Sequence, residues 1–293
     1  MKITEVLKRK GRILSFEVFP PKTTDKFDTV REATEAIASL SPDFMSVTYG
    51  AGGSGSRFTL EIAANIQNKY SVPVIHHLTC VGMSKEEIDN RLTAMKVCGL
   101  ENILALRGDI PKEATPAEWA YKHANELARH IRKTGDFCIG GACYPDGHPE
   151  SPTPEDDIDF LSLKVAAGCD YLTTQLFFDN SVYYNFVEKC SRARIGVPIV
   201  AGIMPITGIR QFERTALLSG SPIPDELLLA AEKYSDDPAS FTLAGMEFAK
   251  AQINDLFSQG VKAVHVYTMN NPSVATEIYN QFKTNIVGDD KND

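Results

Sequence analysis

The sequence predicts an α/β fold, a single (β/α)8 TIM barrel with extra helices before the last strand. Eight short apolar runs recur along the chain, and the segments between them carry helix start and stop signals. Strands that alternate with helices form right-handed crossovers and a parallel sheet, and eight of them are enough to close it into a barrel. The length of 293 residues exceeds the typical ~250 residues of such a barrel, which leaves room for additional helices.

The eight runs are rich in Val, Ile, Phe, Tyr and Thr and are short enough to be strands. They show little alternation of apolar and polar residues, as expected for a parallel sheet that is covered on both faces. The predicted strands are Ile13–Phe19, Phe44–Tyr49, Val74–Cys80, Ile103–Leu106, Cys138–Tyr144, Tyr171–Phe178, Ile199–Met204 and Ala263–Met269.

Capping sequences between the runs predict the helices. Ser84–Glu87 is a capping box, and Gly99 ends the helix that follows it. Thr115–Glu118 repeats the pattern with proline at the first helical position. Thr153–Pro154 begins a further helix, which Gly168 ends.

The domain organisation is simple. The interval before the last strand is longer than the others and holds two candidate helices, near Asp225–Tyr234 and Pro238–Ser258. No stretch has the composition of a linker, so we expect one domain over residues 1–293. We expect its polar tail, from about residue 286, to be disordered.

Composition excludes several classes of protein. The 30 Lys and Arg residues against 38 Asp and Glu residues give a net charge of −8, which argues against nucleic acid as the main partner. No apolar run follows the N-terminus as in a secretory signal, and none approaches the ~18 residues of a membrane span. The six cysteines contain no Cys-x-x-Cys pair, which favours reduced thiols in a cytoplasmic protein.

Polar residues at the carboxyl ends of the predicted strands are the candidate site residues, because βα barrels carry their active sites there. Glu17 lies among Phe and Val in the first strand. Burial would disfavour its charged form and raise its pKa, which suits a general acid. A structural glutamate in a salt bridge explains the same placement equally well.

Two other motifs are weaker evidence for a functional site. Gly50–Gly55 fits G-x-G-x-x-G, but the strand that follows it ends without the acidic residue that a dinucleotide site needs. We therefore interpret it as a glycine loop over the barrel mouth. His76 and His77 are adjacent and must face opposite sides of their strand. Their spacing to Cys80 or His148 matches no zinc pattern, so no metal site is predicted.

The remaining strand ends are also polar. Arg107 and Asp109 flank a glycine and either form an ion pair or hold a polar ring system. Gln175 is expected to be buried between aromatic residues, where it would need a hydrogen-bonding partner such as a ligand. Polar groups among aromatics at most strand ends favour a large, flat, partly polar ligand such as a flavin or a pterin.

Six segments carry a resemblance to a known family: Phe16–Pro21, Ser46–Ala51, His77–Cys80, Ala105–Asp109, Thr174–Phe178 and Val266–Asn270. In this order they resemble the motifs of the methylenetetrahydrofolate reductases, in the form of the bacterial catalytic barrel alone. The resemblance implies non-covalent FAD, which NADH or NADPH reduces before a folate enters the same site and accepts the hydride. It also implies a homo-oligomer.

The resemblance further implies roles for particular residues. Glu17 would be the catalytic acid, and Asp109 would tune both flavin and pterin. The implied folate contacts are Thr48, Gln175, Gln211 and Tyr267. The implied FAD contacts are Tyr49, Ala51, His77, Arg107, Gly108, Asp109, His123, Ala124, Tyr144, His148, Asp157 and Lys164.

The chain also departs from the family pattern. Phe160 and Leu163 stand where some members place polar or basic residues, and Asn271 stands where many have an arginine that helps bind the folate. Two alternatives therefore stay open: a flavin-free lyase or hydrolase that uses Glu17 and Asp109, and a non-catalytic flavin-binding subunit of a redox complex. The sequence does not choose between NADH and NADPH.

Overall fold

The computed structural model describes residues 1–9, 11–49, 55–110, 119–218 and 220–288. Eight parallel strands form one closed barrel, in which each strand pairs with its neighbours in chain order and the last pairs with the first. This confirms the predicted fold class. The strands are β1 Ile13–Val18, β2 Phe44–Val47, β3 Val74–Thr79, β4 Asn102–Leu106, β5 Cys138–Cys143, β6 Tyr171–Thr174, β7 Ile199–Ile203 and β8 Ala263–Tyr267.

All eight predicted runs are strands, but several predicted carboxyl ends extend too far. The largest overshoot is in β6, where the expected strand continues to Phe178 but the ladder stops at Thr174. The aromatic residues beyond it leave the sheet to pack on helices. The ring of Phe177 stacks on Tyr183 at 5.2 Å between centroids, and Phe178 contacts Phe248 at 6.4 Å.

The helices of the described residues surround the barrel and occupy the connections between strands. They are α1 Ile3–Leu7, α2 Phe27–Ala38, α3 Gly55–Tyr70, α4 Lys85–Val97, α5 Ala124–Thr134, α6 Pro154–Ala166, α7 Asn180–Arg192, α8 Ile209–Leu218, α9 Asp225–Lys233, α10 Pro238–Ser258 and α11 Pro272–Gly288, with a short 3-10 turn at Thr24–Lys26. Among these helices, none combines the length and apolar character that crossing a lipid bilayer requires.

Two of the predicted caps are present. The Ser84 hydroxyl oxygen accepts the Glu87 N–H at 3.2 Å, and the Glu87 carboxylate accepts the Ser84 N–H at 2.7 Å. Thr153 caps α6 by accepting the Asp156 N–H at 3.1 Å. The cap predicted at 115–118 lies outside the described residues, and the described helix of that interval, α5, begins at Ala124.

The extra helices predicted before the last strand are confirmed as α9 and α10. The last helix, α11, reaches Gly288. The expected tail from about residue 286 therefore starts within this helix, and residues 289–293 lie outside the described part of the chain.

The amino end of the barrel is filled by apolar side chains. Every strand contributes one of them to a buried layer, and α1 packs beneath this layer with Ile3, Val6 and Leu7. Among the described residues, the layer and α1 therefore close the amino end, and barrel enzymes carry their active sites at the opposite, carboxyl ends of the strands. The layer consists of Ile13, Phe44, Ile75, Leu104, Cys138, Tyr171, Val200 and Ala263.

Helix α10 lies directly on the loop that leaves β7. Gly245 is buried in α10, and a Cβ atom added there would overlap with the carbonyl oxygen of Ile206. The Thr242 hydroxyl donates to the Thr207 carbonyl oxygen at 2.8 Å in the same contact. This close approach fixes the loop that leads from β7 into α8, the helix that carries Gln211 at the barrel mouth.

We expect Gly245→Ala to lower the free energy of unfolding by about 2 kcal/mol, because inserting a methyl group into a packed contact costs roughly 1–3 kcal/mol. Urea unfolding followed by circular dichroism measures the change. Gly196→Ala is the matched control, since a Cβ at Gly196 meets no atom within 4 Å. Equal unfolding midpoints for the two variants would contradict the packing argument.

Candidate active site

A carboxylate lies inside the carboxyl end of the barrel. In the sheet register, Glu17 of β1 is flanked by Ser46 of β2 and Tyr267 of β8. The Ser46 hydroxyl donates to Glu17 Oε2 at 3.3 Å. The Nε2 atoms of His77 and His265 lie 3.6 and 3.9 Å from the same oxygen. One carboxylate is thus surrounded by three polar side chains from three other strands.

His265 is held between two serines. Its Nδ1 lies 2.8 Å from Ser15 Oγ, and its Nε2 lies 2.9 Å from Ser46 Oγ. Ser15 donates its own proton to the Val264 carbonyl oxygen at 3.1 Å, so Nδ1–H of His265 is the donor to Ser15. The Ser46 hydroxyl contacts both His265 Nε2 and Glu17 Oε2, which connects the imidazole to the carboxylate.

The expectation of a raised pKa for Glu17 is wrong. Burial alone raises the pKa of Glu17, but interactions with His265, His77 and Ser46 outweigh burial and hold the pKa below its ordinary 4.5. The side chain keeps 20% of its surface exposed. Glu17 is therefore an anion at neutral pH in this barrel. It can donate a proton only after its surroundings change so that its pKa rises.

The two adjacent histidines face opposite sides of β3, as strand alternation predicts. His77 faces Glu17 inside the barrel, and burial lowers its pKa to about 4. Its Nε2 has no hydrogen-bond partner among the described residues. His76 faces the helices, and burial lowers its pKa to about 3. Both imidazoles are neutral at physiological pH.

Tyr267 is fixed across the barrel from β8 to β6. Its hydroxyl donates to the Thr174 carbonyl oxygen at 2.5 Å. The Thr174 hydroxyl oxygen in turn accepts the Gly202 N–H at 2.8 Å. Because its hydroxyl proton is used in this bond, Tyr267 has its ring and its oxygen lone pairs left to contact a ligand.

A cavity of about 390 Å³ lies at the carboxyl ends of β4 and β5 and against α6. Most of the predicted cofactor contacts line it together. They are Arg107, His123, Ala124, Tyr144, His148, Asp157 and Lys164. The apolar Phe160 and Leu163, which depart from the family pattern, also line it and are 52% and 53% exposed.

The two cations of this cavity differ in their partners. Arg107 is bound to the Glu150 carboxylate through both terminal nitrogens, at 2.5 and 2.8 Å. Lys164 Nζ donates to the Ala142 carbonyl oxygen at 2.5 Å, and burial lowers its pKa. Lys164 forms no ion pair within the described residues, so it is the cation available to an incoming anion.

The loop after β5 is held by Asp157. Its carboxylate accepts the Ser151 hydroxyl at 2.8 Å and the His148 N–H at 3.3 Å. The His148 ring meets the edge of Tyr144 with 4.5 Å between ring centroids. The Asp157 carboxylate therefore orders this wall of the cavity.

The turn after β4 requires glycine. Gly108 has φ +90°, and a Cβ there would lie 3.0 Å from Thr79 Cβ. The turn carries the side chain of Asp109 to the exposed surface of the barrel mouth. Arg107 pairs with Glu150 instead of Asp109, so the sequence-based option of an Arg107–Asp109 pair is not observed.

The predicted folate contacts lie at the mouth but are arranged differently from the expectation. Gln175 is exposed, not buried, and its side-chain oxygen accepts the Leu176 N–H at 2.9 Å. Gln211, near the start of α8, is bonded to the loop before that helix. It accepts the Thr207 N–H at 2.9 Å and donates to the Pro205 carbonyl oxygen at 2.9 Å. Thr48 is half-buried at the end of β2.

Four predicted flavin contacts among the described residues do not line the cavity: Tyr49, His77, Gly108 and Asp109. Tyr49 lies under the guanidinium of Arg91, 5.3 Å from the ring centroid. Ala51 and most of the glycine loop lie outside the described residues.

Sequence reasoning missed Ser15, Ser46 and Glu150. The signal for the serines was the alternation of side chains along a strand. Ser15 and Glu17 share one face of β1, and His265 and Tyr267 share one face of β8. The sequence offers no comparable signal for Glu150, which the structure pairs with Arg107.

A closed βα barrel that gathers a carboxylate, two imidazoles and a cavity of this size at the carboxyl ends of its strands is built as barrel enzymes are. The sequence profile of the family described as methylenetetrahydrofolate reductase matches residues 2–283. The chain belongs to this family.

Individual relatives agree with the assignment. The chain is 38% identical over 283 residues to methylenetetrahydrofolate reductase (NADH) 1 of Arabidopsis thaliana, with 92% of this chain and 48% of the plant protein covered. It is 32% identical over 270 residues to 5,10-methylenetetrahydrofolate reductase of Escherichia coli, with 92% and 90% covered. The chain thus spans about half the length of the plant relative.

Solved structures share the fold. An uncharacterized protein from Clostridium thermocellum superposes with a TM-score of 0.67 at 16% identity, covering 96% of this chain and 100% of that chain. A 2,3-dimethylmalate lyase superposes with a TM-score of 0.53 at 12% identity, covering 99% and 87%. At these identities the likeness concerns the fold alone.

We expect the protein to lose stability between pH 7 and pH 5. His77 has a pKa of about 4 in the folded state against 6.5 in model compounds, so the unfolded chain binds more protons in this range. Stability is therefore lost as the pH falls, by about 2 kcal/mol at pH 5 for this residue. Urea unfolding at the two pH values measures the loss.

The variant His77→Gln should lose about 2 kcal/mol less than the wild type between these pH values. Ser191→Ala, at an exposed position and without loss of a titratable group, is the control and should keep the wild-type pH dependence. If His77→Gln loses as much stability as the wild type, His77 is not the group that titrates.

Proposed function

We propose that this chain catalyses the reduction of 5,10-methylenetetrahydrofolate to 5-methyltetrahydrofolate, with non-covalent FAD and with NADH or NADPH as the electron donor in a ping-pong sequence. The observation that supports the proposal most strongly is that the Glu17 cluster and a cavity lined by residues that the family resemblance assigns to the cofactor both lie at the carboxyl ends of the strands of one barrel. The names of the plant relatives make NADH the donor to test first.

The cavity residues fit FAD in chemistry. Tyr144, Phe160 and Leu163 offer aromatic and apolar surface for ring systems, and the Lys164 ammonium retains donors beyond the Ala142 carbonyl oxygen for an anionic diphosphate. When bound, FAD supplies the hydride transfer, while the protein supplies orientation and electrostatics.

Glu17 would hold and deliver the proton that the folate needs when its five-membered ring opens. The carboxylate is an anion before the folate binds, because its pKa is lowered by its polar neighbours. A folate that covers the exposed 20% of the side chain would remove it from water and raise its pKa. Ser46 links Glu17 to His265 and provides a path for the proton.

The mouth residues would orient the pterin. Exposed Gln175 presents its amide group beside the end of β6, while Tyr267 is held rigidly by Thr174. Gln211 is bonded to the loop before α8, so a direct contact with the folate would require it to exchange its bond to Pro205. The Clostridium thermocellum protein that shares the fold is described as binding two copies of 5-methyl-5,6,7,8-tetrahydrofolic acid, which supports the proposal of a folate ligand here.

Glu17→Gln should separate the two half-reactions. We expect reduction of the bound flavin by NADH to proceed at a near wild-type rate, because this step needs no proton from Glu17. Reduction of methylenetetrahydrofolate should fall by roughly 10²–10⁴-fold, the usual contribution of a general acid. Anaerobic stopped-flow absorbance of the flavin follows each step separately.

Glu188→Gln, which removes an exposed carboxylate on α7, is the matched control and should leave both steps unchanged. Equal losses in both steps for Glu17→Gln would assign Glu17 a structural role. Protein that stays colourless after incubation with FAD would favour the flavin-free lyase or hydrolase. Bound FAD without turnover of either substrate would favour a non-catalytic subunit.

Lys164→Gln should weaken FAD binding by about 2 kcal/mol, or roughly 30-fold in Kd, because it removes one charge-assisted hydrogen bond to the diphosphate. Fluorescence titration of the apoprotein with FAD measures the change. Lys189→Gln on the exposed face of α7 is the control for net charge. An unchanged Kd in Lys164→Gln would show that the diphosphate lies elsewhere.

A further inference from the structure

A second pocket, of about 370 Å³, lies outside the barrel wall. It is formed between α3 and α4 over the helix-facing side of β3, and it shares no lining residue with the cofactor cavity. Its wall consists of Arg57, Leu60, His76, Glu87, Asn90, Arg91, Ala94 and Met95. The proposed function uses none of them.

Two buried polar atoms in this wall have unmet hydrogen-bonding capacity. Nδ1 of His76 and Nε of Arg91 are buried and have no hydrogen-bond partner among the described residues. His76 itself is only 3% exposed. Both residues line the pocket through other atoms. Because buried polar groups in proteins are nearly always paired, two unpaired atoms directly behind one pocket wall set this wall apart.

The charges of the wall define the kind of ligand. Arg57 and Arg91 bring two positive charges to the pocket, and a guanidinium matches the geometry of an oxyanion. The Glu87 carboxylate is occupied in capping α4 through Ser84. Burial and the Arg91 charge keep His76 neutral by lowering its pKa to about 3, so its ring adds a hydrogen-bonding group without adding charge.

We propose that this pocket binds a small organic anion, whose carboxylate or phosphate group contacts Arg57, Arg91 and His76 and whose apolar part packs on Leu60 and Met95. The volume exceeds what a bare oxyanion needs, and the wall also contains the apolar side chains of Leu60, Ala94 and Met95. The site is separate from the cofactor cavity and does not depend on the proposed function.

The test uses three probes on the full chain: inorganic phosphate, phenyl phosphate and benzoate. Isothermal titration calorimetry gives the Kd of each, and ¹⁵N spectra of histidine-labelled protein report the ring nitrogens. We expect phenyl phosphate or benzoate to shift the His76 signals and to bind more tightly than inorganic phosphate. The tighter of these two probes identifies the head group.

Arg57→Gln and Arg91→Gln should each raise that Kd at least tenfold. Arg57 is exposed, so its variant tests the site without disturbing the core. Arg129→Gln controls for the loss of a surface charge, and Lys164→Gln controls for binding in the cofactor cavity; both should keep the wild-type Kd. Three results would overturn the proposal: a raised Kd only in Lys164→Gln, equal Kd values in all four variants, or His76 signals that no probe shifts.

Discussion

The parallel pairing of β1 with β8 is the constraint on which the site depends. It brings Glu17 beside Tyr267 in register, although about 250 residues separate them in the chain. The same closure places His265 opposite Ser15, and β2 then carries Ser46 to the other side of the imidazole. An open sheet of the same eight strands would leave Glu17 at an edge without the imidazole that lowers its pKa. Closure is therefore both the structural and the electrostatic basis of the site.

The barrel interior divides into two parts with different chemistry. The amino end holds one apolar side chain from each strand and is sealed by α1. The carboxyl end holds polar side chains, and most of these are satisfied by one another. The exception is Nε2 of His77, which is buried without a partner among the described residues and lies 3.6 Å from Glu17. An unpaired group of this kind is unfavourable for folding, and sites of function are where such groups are retained.

The fold could be predicted because apolar runs and helix caps are local patterns, and closing the sheet does not change which segments become strands and helices. For the candidate site, the sequence could predict which residues lie near the carboxyl ends of the strands, but not what surrounds each of them. Glu17 was expected to have a raised pKa from its apolar sequence neighbours, but the residues that lower the pKa come from β2, β3 and β8. Gln175 was expected to be buried between aromatics, but the strand ends at Thr174 and the chain turns outward. Both errors arise because sequence neighbours at a strand end are not spatial neighbours once the chain leaves the ladder.

The net charge of −8 makes the local arrangement of cations decisive for anionic ligands. In the cavity between β4, β5 and α6, Arg107 and Lys164 are matched by Glu150 and Asp157, so the cavity is formally neutral. Long-range attraction would therefore contribute little to binding of the proposed FAD. Its diphosphate would be held by short hydrogen bonds, which favours Lys164 because Arg107 is already bound to Glu150 at both terminal nitrogens. The apolar Phe160 and Leu163 fit this proposal, since a neutral cavity would hold a flat cofactor by surface contact more than by charge.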